Sequence, residues 1–365
     1  MKSNSRLMSI ELLRIISCFF VVLIHTSPDY GVAVENNAAA LIIQSLVRVG
    51  LPIFFLISGY FSLNSSIKNI PRFYLKRLSA IIIPFLIYGY IHVAMTHYMW
   101  SFSEGSYVNL FTLDTLKMFL NAAALGPYLS NEAFISWHFW FVYFIAGMYL
   151  IAPIVQRAIC FINENNAEKT LLTLIIIMAI YSYLPAIQKI NPKLSWIYIV
   201  QPLDEWLGYF IAGGVIARID QNKYMKLCLF AIPACYVFTA LSTIMLTMLQ
   251  MGGSIQFKGG INMILFSISV FYLFINRQIS FFNKTIVFVS KRTYGIYLSH
   301  VFIFYYFNDK IKSAIENPFI CSISTGALVF FVALIIACIV DFIIINPVMK
   351  LVRLKFRNNL YVLSD

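Results

Sequence analysis

The sequence predicts an all-α, polytopic integral membrane protein of about ten transmembrane helices, with N- and C-termini cytoplasmic. Three observations carry that expectation. Of 365 residues, 60% are hydrophobic and 12% charged, where a soluble domain carries about a quarter charged residues. Apolar runs of roughly 20 residues, enough to cross a bilayer, recur along the chain. The basic residues behind the net charge of +12 gather in alternate loops, as the positive-inside rule requires. The first apolar run has no small-residue cleavage site and further spans follow it, so it reads as a mature helix and not a signal peptide.

In order, the spans read as 9–27, 41–62, 79–98, 135–155, 170–187, 203–217, 227–249, 260–276, 293–308 and 323–348. The first, ELLRIISCFFVVLIHT, is apolar but for Glu11, Arg14 and His25. The second places Arg48 in its outer half, and Ser58–Gly59 near its inner end read as small residues for close helix packing. The basic loop KNIPRFYLKR (68–77) reads as an anchor on anionic lipid heads or as a phosphate contact for a cytoplasmic ligand. His92 and His97 lie toward the outer end of the third span. The long stretch 99–134 falls outside and contains FTLDTLKMFLNAAAL, the pattern of a short surface helix. The fourth span opens with WHFWFVYF, which sets His138 near its outer end. Segment 281–292, FFNKTIVFVSKR, is too short to cross and is expected at the inner face. The ninth, TYGIYLSHVFIFYY, puts His300 near mid-membrane, and the last buries Asp341, a counter-ion to an arginine or a proton relay. The whole chain, 1–365, is thus one transmembrane domain with no appended soluble module.

The charge is mostly a topology signal. With the N-terminus inside, Lys2, Arg6, Lys68, Arg72, Lys76, Arg77, Arg157, Lys169, Arg218, Lys223, Lys226, Arg277, Lys284, Lys291, Arg292 and the tail bases fall in the cytoplasm. The outer loops hold acids such as Asp29, Glu35, Glu104, Asp114 and Glu132. The expected partner of this surface is the lipid bilayer, and no nucleic acid is expected. The six cysteines show no metal-ligand spacing and read as small buried side chains; no metal is expected.

Arg14 and His25 are eleven residues apart, which on a helix places them within about 20° of one face and roughly 16 Å apart along the axis. With Glu11, Ser17 and Cys18 they form a polar stripe, which must face other helices or water, because lipid exposure of an arginine costs at least a few kcal/mol. Two readings stand for the stripe. In one, Arg14 snorkels or pairs with Glu11 while His25 sits at the interface. In the other, the stripe lines a polar cavity open to the outside, together with Arg48 and the four other histidines, all of which lie within or at the ends of spans. Imidazole suits proton transfer or acyl capture, and arginine suits phosphate. A proton-coupled transporter would use many of the same parts. The tryptophans Trp100, Trp137, Trp140, Trp196 and Trp206 read as interfacial anchors, with stacking on sugar rings as the second reading.

An ordered set of motifs then carries a resemblance. The arginine–ten residues–histidine pattern R14-IISCFFVVLI-H25 is followed by VGLPIFFLISGYF (49–61), HFWFV (138–142), GYFIAGGVIAR (208–218) and YGIYLSHVF (294–302). Spread across nearly the whole chain, this set resembles the membrane-bound acyltransferase-3 family, in the version whose members O-acetylate surface glycans. The resemblance implies acetyl-CoA as cytoplasmic acyl donor, and a surface glycan or undecaprenyl-linked saccharide as acceptor, in the bacterial inner membrane. It implies His25 as the catalytic imidazole, Arg14 as a donor anchor, and Arg48 as a holder of developing negative charge or glycan. Arg72, Lys76 and Arg77 are the further donor contacts implied, and His138, Trp140, Tyr297 and His300 the acceptor contacts. One departure stands in KRLSAIIIP: Ala80 occupies the place where many relatives carry a second arginine. Two alternatives remain: a glycan transporter or flippase, for which inverted repeats and broken helices are expected, and an acyltransferase using succinyl or another acyl group.

Overall fold

The structure, a computed structural model, describes residues 8–27, 38–104, 112–129, 135–190, 193, 205–220, 222–248, 260–277, 279 and 281–362. The described elements are helical: α1 (Met8–Thr26), α2 (Ala38–Val47), α3 (Gly50–Leu63), α4 (Ile70–Glu104), α5 (Leu113–Leu125), a 3-10 turn (Trp137–Phe139) leading into α6 (Trp140–Cys160), and α7 (Glu164–Ile190). There follow α8 (Glu205–Ile216), α9 (Met225–Met248), α10 (Ile261–Ile275), α11 (Asn283–Ser290), α12 (Thr293–Lys312), α13 (Pro318–Val340), a π-helical turn (Asp341–Ile345) and α14 (Asn346–Val362).

A helix lies on every stretch where a span is predicted. Among the described residues, six segments are long and apolar enough to cross a membrane: Met8–Thr26, Ala40–Leu63, Ile70–Thr96, Trp137–Cys160, Met225–Leu246 and Pro318–Leu354. Glu205–Ile216 and Ile261–Ile275 are apolar but shorter.

Three local features differ from the expected spans. The stretch 41–62 is two helices, α2 and α3, separated at Arg48–Val49. Pro52 accounts for the break, because it has no N–H to give to the carbonyl of Arg48 and its ring collides with that carbonyl in a straight helix. The basic stretch 68–77 is mostly helical: α4 begins at Ile70, since Asn69 Oδ1 caps it by accepting from Arg72 N at 2.8 Å. The same device opens α7, with Asn163 Oδ1 accepting from Asn166 N at 3.0 Å, and α13, with Asn317 Oδ1 accepting from Phe319 N at 3.0 Å. The last span runs on through the π-helical turn into α14.

The expected surface helix forms as α5. Thr112 Oγ1 caps it by accepting from Thr115 N at 3.2 Å, and it ends at Gly126, whose φ of +80° is one that only glycine adopts without strain. Thr115, Phe119, Ala122 and Ala123 are its buried face, with Phe119 packed edge-on to Tyr90 of α4.

Chain contacts divide the molecule into two compact units: Met1–Ser66, Ile151–Lys291 and Ile311–Ala327 in the first, and Ile67–Leu150, Arg292–Lys310 and Leu328–Asp365 in the second. The first unit is built on α3 and α8, whose backbones touch. A Cβ on Gly59 would lie 1.7 Å from Phe210 O, and one on Gly213 would lie 2.0 Å from Leu56 O. Small residues let helices approach this closely, which is the role expected for Gly59. Around that pair, α1 packs on α2, α3, α10 and α11. The segment 281–292 thus contributes a short helix, α11, laid against α1. Leu23, Ile43 and Val47 form a shared core between α1 and α2, with Phe19, Phe20 and Ile24 against it. In the second unit α4 packs on α5 and α14.

Candidate functional site

The polar stripe of α1 forms on one uninterrupted helix, so Arg14 and His25 share a face as their spacing requires. At the N-terminal end, Arg14 Nη1 donates to Glu11 Oε2 at 2.9 Å. The Glu11 side chain is 3% exposed and that of Arg14 23%. Ser17 and Cys18 are buried between them and His25. His25 itself is exposed, in the last turn of α1. The Glu11 pairing and the exposed imidazole in the last turn are the arrangement of the first reading of the stripe.

Arg48 sits at the break between α2 and α3, half-buried. Its Nε donates to Gln44 Oε1, one turn earlier on α2, at 2.8 Å. The amide of Gln44 turns the other way as a donor, to Ile24 O at 2.9 Å and to Ser27 Oγ at 2.5 Å. Sequence reasoning passed over Gln44. The signal was present, since it is a polar residue inside AAALIIQSLV and four positions before Arg48. Thr26 Oγ1 donates to Ser322 O of α13 at 3.3 Å, which fastens the same end of α1 from a second side.

The second unit holds the remaining candidates. His92, His138 and His300 are 2%, 5% and 0% exposed, and their rings cluster. The His138 ring lies 5.7 Å from that of His92 and 5.1 Å from that of His300. Ser136 Oγ hydrogen-bonds His138 Nδ1 at 2.6 Å, Tyr297 donates its hydroxyl to His138 O, and His300 Nδ1 donates to Tyr297 O at 2.5 Å. The last bond requires the proton of His300 on Nδ1, because a carbonyl oxygen only accepts. Trp140 is half-buried, edge-on to Phe144 at 5.4 Å. His92 and Ser136 join the predicted His138, Tyr297 and His300 as members of one buried group. Among the described residues, no three His, Cys, Asp or Glu side chains are arranged to hold a metal ion.

Of the predicted donor contacts in this unit, Arg72 and Lys76 are exposed on the first turns of α4. Arg77 is half-buried, its guanidinium 5.4 Å from the ring centre of Tyr149 and 6.0 Å from that of Phe73. Ala80 is exposed. Tyr294 donates its hydroxyl to Ile81 O at 3.0 Å, bringing the start of α12 against α4. Just before that start, Arg292 faces Asp341 at 3.9 Å, Nε to Oδ2. Of the two roles open to Asp341, the counter-ion role now has its arginine.

Arg14, His25 and Arg48 belong to the first unit, and Arg72, Lys76, Arg77, His138, Trp140, Tyr297 and His300 to the second. His97, Trp100 and Trp196 lie outside the residues whose side chains are described, as do Lys2, Arg6, Asp29 and Glu35.

Compared with known families, residues 8–345 match the acyltransferase domain of the acyltransferase-3 type. No curated protein and no solved structure gives a match.

Proposed function

Starting from a multi-pass membrane acyltransferase that belongs to the acyltransferase-3 family, we propose that this protein is an O-acetyltransferase of the bacterial inner membrane. It moves acetyl from cytoplasmic acetyl-CoA to a hydroxyl of a cell-surface polysaccharide or its undecaprenyl-linked precursor. Within the family its motifs look most like those of the enzymes that O-acetylate surface glycans, the enterobacterial common antigen O-acetyltransferase among them. The observation that carries the reading is the placement of Arg14 and an exposed His25 on one face of α1, about 16 Å apart along its axis. That rise suits a pantetheine arm held at one end by a cation and presented at the other to a base.

In this reading the His25 imidazole takes the acceptor hydroxyl proton. The alkoxide oxygen forms the new bond to the thioester carbonyl carbon, the carbon–sulfur bond breaks, and the CoA thiolate leaves and is then protonated. Arg48 stabilises the oxyanion formed between those events, as positioned cations do in acyl transfer. The family resemblance implies Arg14 as a donor anchor, Arg72, Lys76 and Arg77 as further donor contacts, and His138, Trp140, Tyr297 and His300 as acceptor contacts. A route through an acetyl-imidazole on His25 uses the same residues in two steps, and rapid quenching with mass mapping of α1 separates the two.

Membranes containing wild type, His25→Ala or Arg14→Ala at matched levels are incubated with acetyl-labelled acetyl-CoA, and base-labile label on glycan is measured. Wild type labels glycan and both variants do not. Equal labelling by His25→Ala would remove His25 from the chemistry. Label from succinyl-CoA in place of acetyl-CoA would reassign the acyl group.

One observation favours a second reading, a glycan transporter or flippase: the helix broken at Arg48, a device that lines substrate paths in transporters. Movement of a glycolipid by the purified protein without any acyl donor is the result that would bring it forward.

A further inference from the structure

Gln44 is 1% exposed, and a buried primary amide has two donor hydrogens and an acceptor oxygen to satisfy. Its neighbours set its orientation. Arg48 Nε–H can only donate, so Oε1 faces it at 2.8 Å, and Ile24 O can only accept, so Nε2 faces it at 2.9 Å. The same Nε2 reaches Ser27 Oγ at 2.5 Å, and that hydroxyl donates in turn to Leu23 O at 2.8 Å. Ile24 and Ser27 flank His25 in the chain. The Nε–H bond lies in the plane of the guanidinium, so this contact constrains the plane that carries both terminal nitrogens of Arg48. Arg48 N donates to Gln44 O at 3.2 Å, so the last turn of α2 holds the backbone of Arg48 while the Gln44 amide holds its guanidinium.

We propose that Gln44 is a positioning residue that holds the guanidinium plane of Arg48 in register with the turn of α1 that bears His25. It acts through Arg48 and through the α1 backbone and touches neither substrate. Its kinetic consequences rest on the acyl-transfer reading above, whereas its structural consequence does not. The side chain is specific for this task. Glutamate keeps a contact to Arg48 but turns a second acceptor toward Ile24 O. Methionine fills the volume and makes neither bond, and asparagine is one methylene short.

The test uses the full chain in lipid nanodiscs. In Gln44→Met, hydrogen–deuterium exchange rises severalfold in peptides covering residues 20–27 and 44–50, while peptides from α7 exchange as in wild type. Unchanged exchange at 20–27 overturns the tie whatever the enzyme does. In acyl-transfer assays kcat of Gln44→Met falls about tenfold, the loss expected when one buried hydrogen bond no longer sets the transition-state geometry. KM for the acyl donor changes by less than about twofold, and Gln44→Glu recovers only part of kcat. In an Arg48→Lys background, which has no Nε–H, Gln44→Met lowers kcat by no more than about twofold again, since the two act as one unit. Fully multiplying effects would show that Gln44 acts independently of Arg48 and would sink the proposal. If wild type itself transfers no acyl group, the acyl-transfer reading falls and the exchange result alone decides the role of Gln44.

Discussion

Arg14 Nη1 and Glu11 Oε2 stand 2.9 Å apart across one turn of α1, with the carboxylate side chain 3% exposed and the arginine side chain 23% exposed. The carboxylate holds the guanidinium from the buried side of α1. The acid on the N-terminal side of the base is also the favourable order on a helix.

Removing one partner leaves the other charge uncompensated. Glu11→Gln and Arg14→Gln are each expected to lower stability by about 1–3 kcal/mol, less than for a fully buried pair because Arg14 is partly exposed. The double variant is expected to lose less than the sum of the two, and thermal unfolding in detergent measures the difference. Additive losses would mean that the pair contributes no mutual stabilisation.

Gly59 offers a test of the first unit. Its substitution by alanine puts a methyl group 1.7 Å from Phe210 O, and that oxygen belongs to backbone, which cannot swing aside as a side-chain end would. Gly59→Ala is expected to cost about 3 kcal/mol or more, the upper range for overpacking. Gly213→Ala strains the same α3–α8 contact from the other helix, against Leu56 O. Separating the two helices once relieves both clashes, so the double variant is expected to melt close to the worse single. Wild-type melting of Gly59→Ala would contradict the close backbone approach.

How much of this was legible in the sequence differs from residue to residue. The helices fall where the apolar runs are, because bilayer thickness and backbone hydrogen bonding leave little else for such runs to do. Arg14, His25 and Gly59 were legible because their meaning is local: one helical period places the first two on one face, and a missing side chain marks the third. The partner of Gly59 was not, since nothing in FFLISGYF names Gly213 as the residue it meets. Asp341 could be read as costly, but Arg292, 49 positions earlier in the chain, was beyond sequence spacing to find. The grouping of His92, His138 and His300 has the same origin in long-range packing. The break at Arg48 was missed for another reason: Pro52 was read as part of a motif and not as a helix breaker.

Charge pairing outside the predicted spans gives a pH prediction. Lys223 Nζ donates to both oxygens of Glu168, at 2.7 and 2.8 Å, joining the start of α7 to the segment after α8. That hydrogen bonding holds the carboxyl of Glu168 below its ordinary value of 4.5. A carboxyl depressed in the folded state contributes stability that is present above its unfolded value and is lost as pH falls through the lowered folded value. Lys223→Met removes the partner. The difference in unfolding temperature between wild type and Lys223→Met is therefore expected to be constant from neutrality to about pH 5 and to shrink below 4.5. A difference that stays constant to the lowest pH would show that the pair does not couple to folding.

Pro52 separates stability from function at Arg48. Proline removes one helix hydrogen bond and forces the break before α3, a cost of about 3 kcal/mol in a helix interior. Pro52→Ala restores an N–H that can bond Arg48 O, allowing α2 and α3 to merge. The variant is expected to be at least as stable as wild type. Merging α2 and α3 keeps Arg48 one turn after Gln44 but straightens the chain at Arg48–Val49, which shifts Arg48 relative to α3. Acyl transfer is then expected to fall at least tenfold, the effect of misplacing a charge-stabilising group. Thermal unfolding and turnover measured on the same preparation decide the matter. A variant that is both more stable and fully active would show that the break is a tolerated irregularity, whereas a stable and inactive one would assign the break, and the proline that causes it, to placing Arg48.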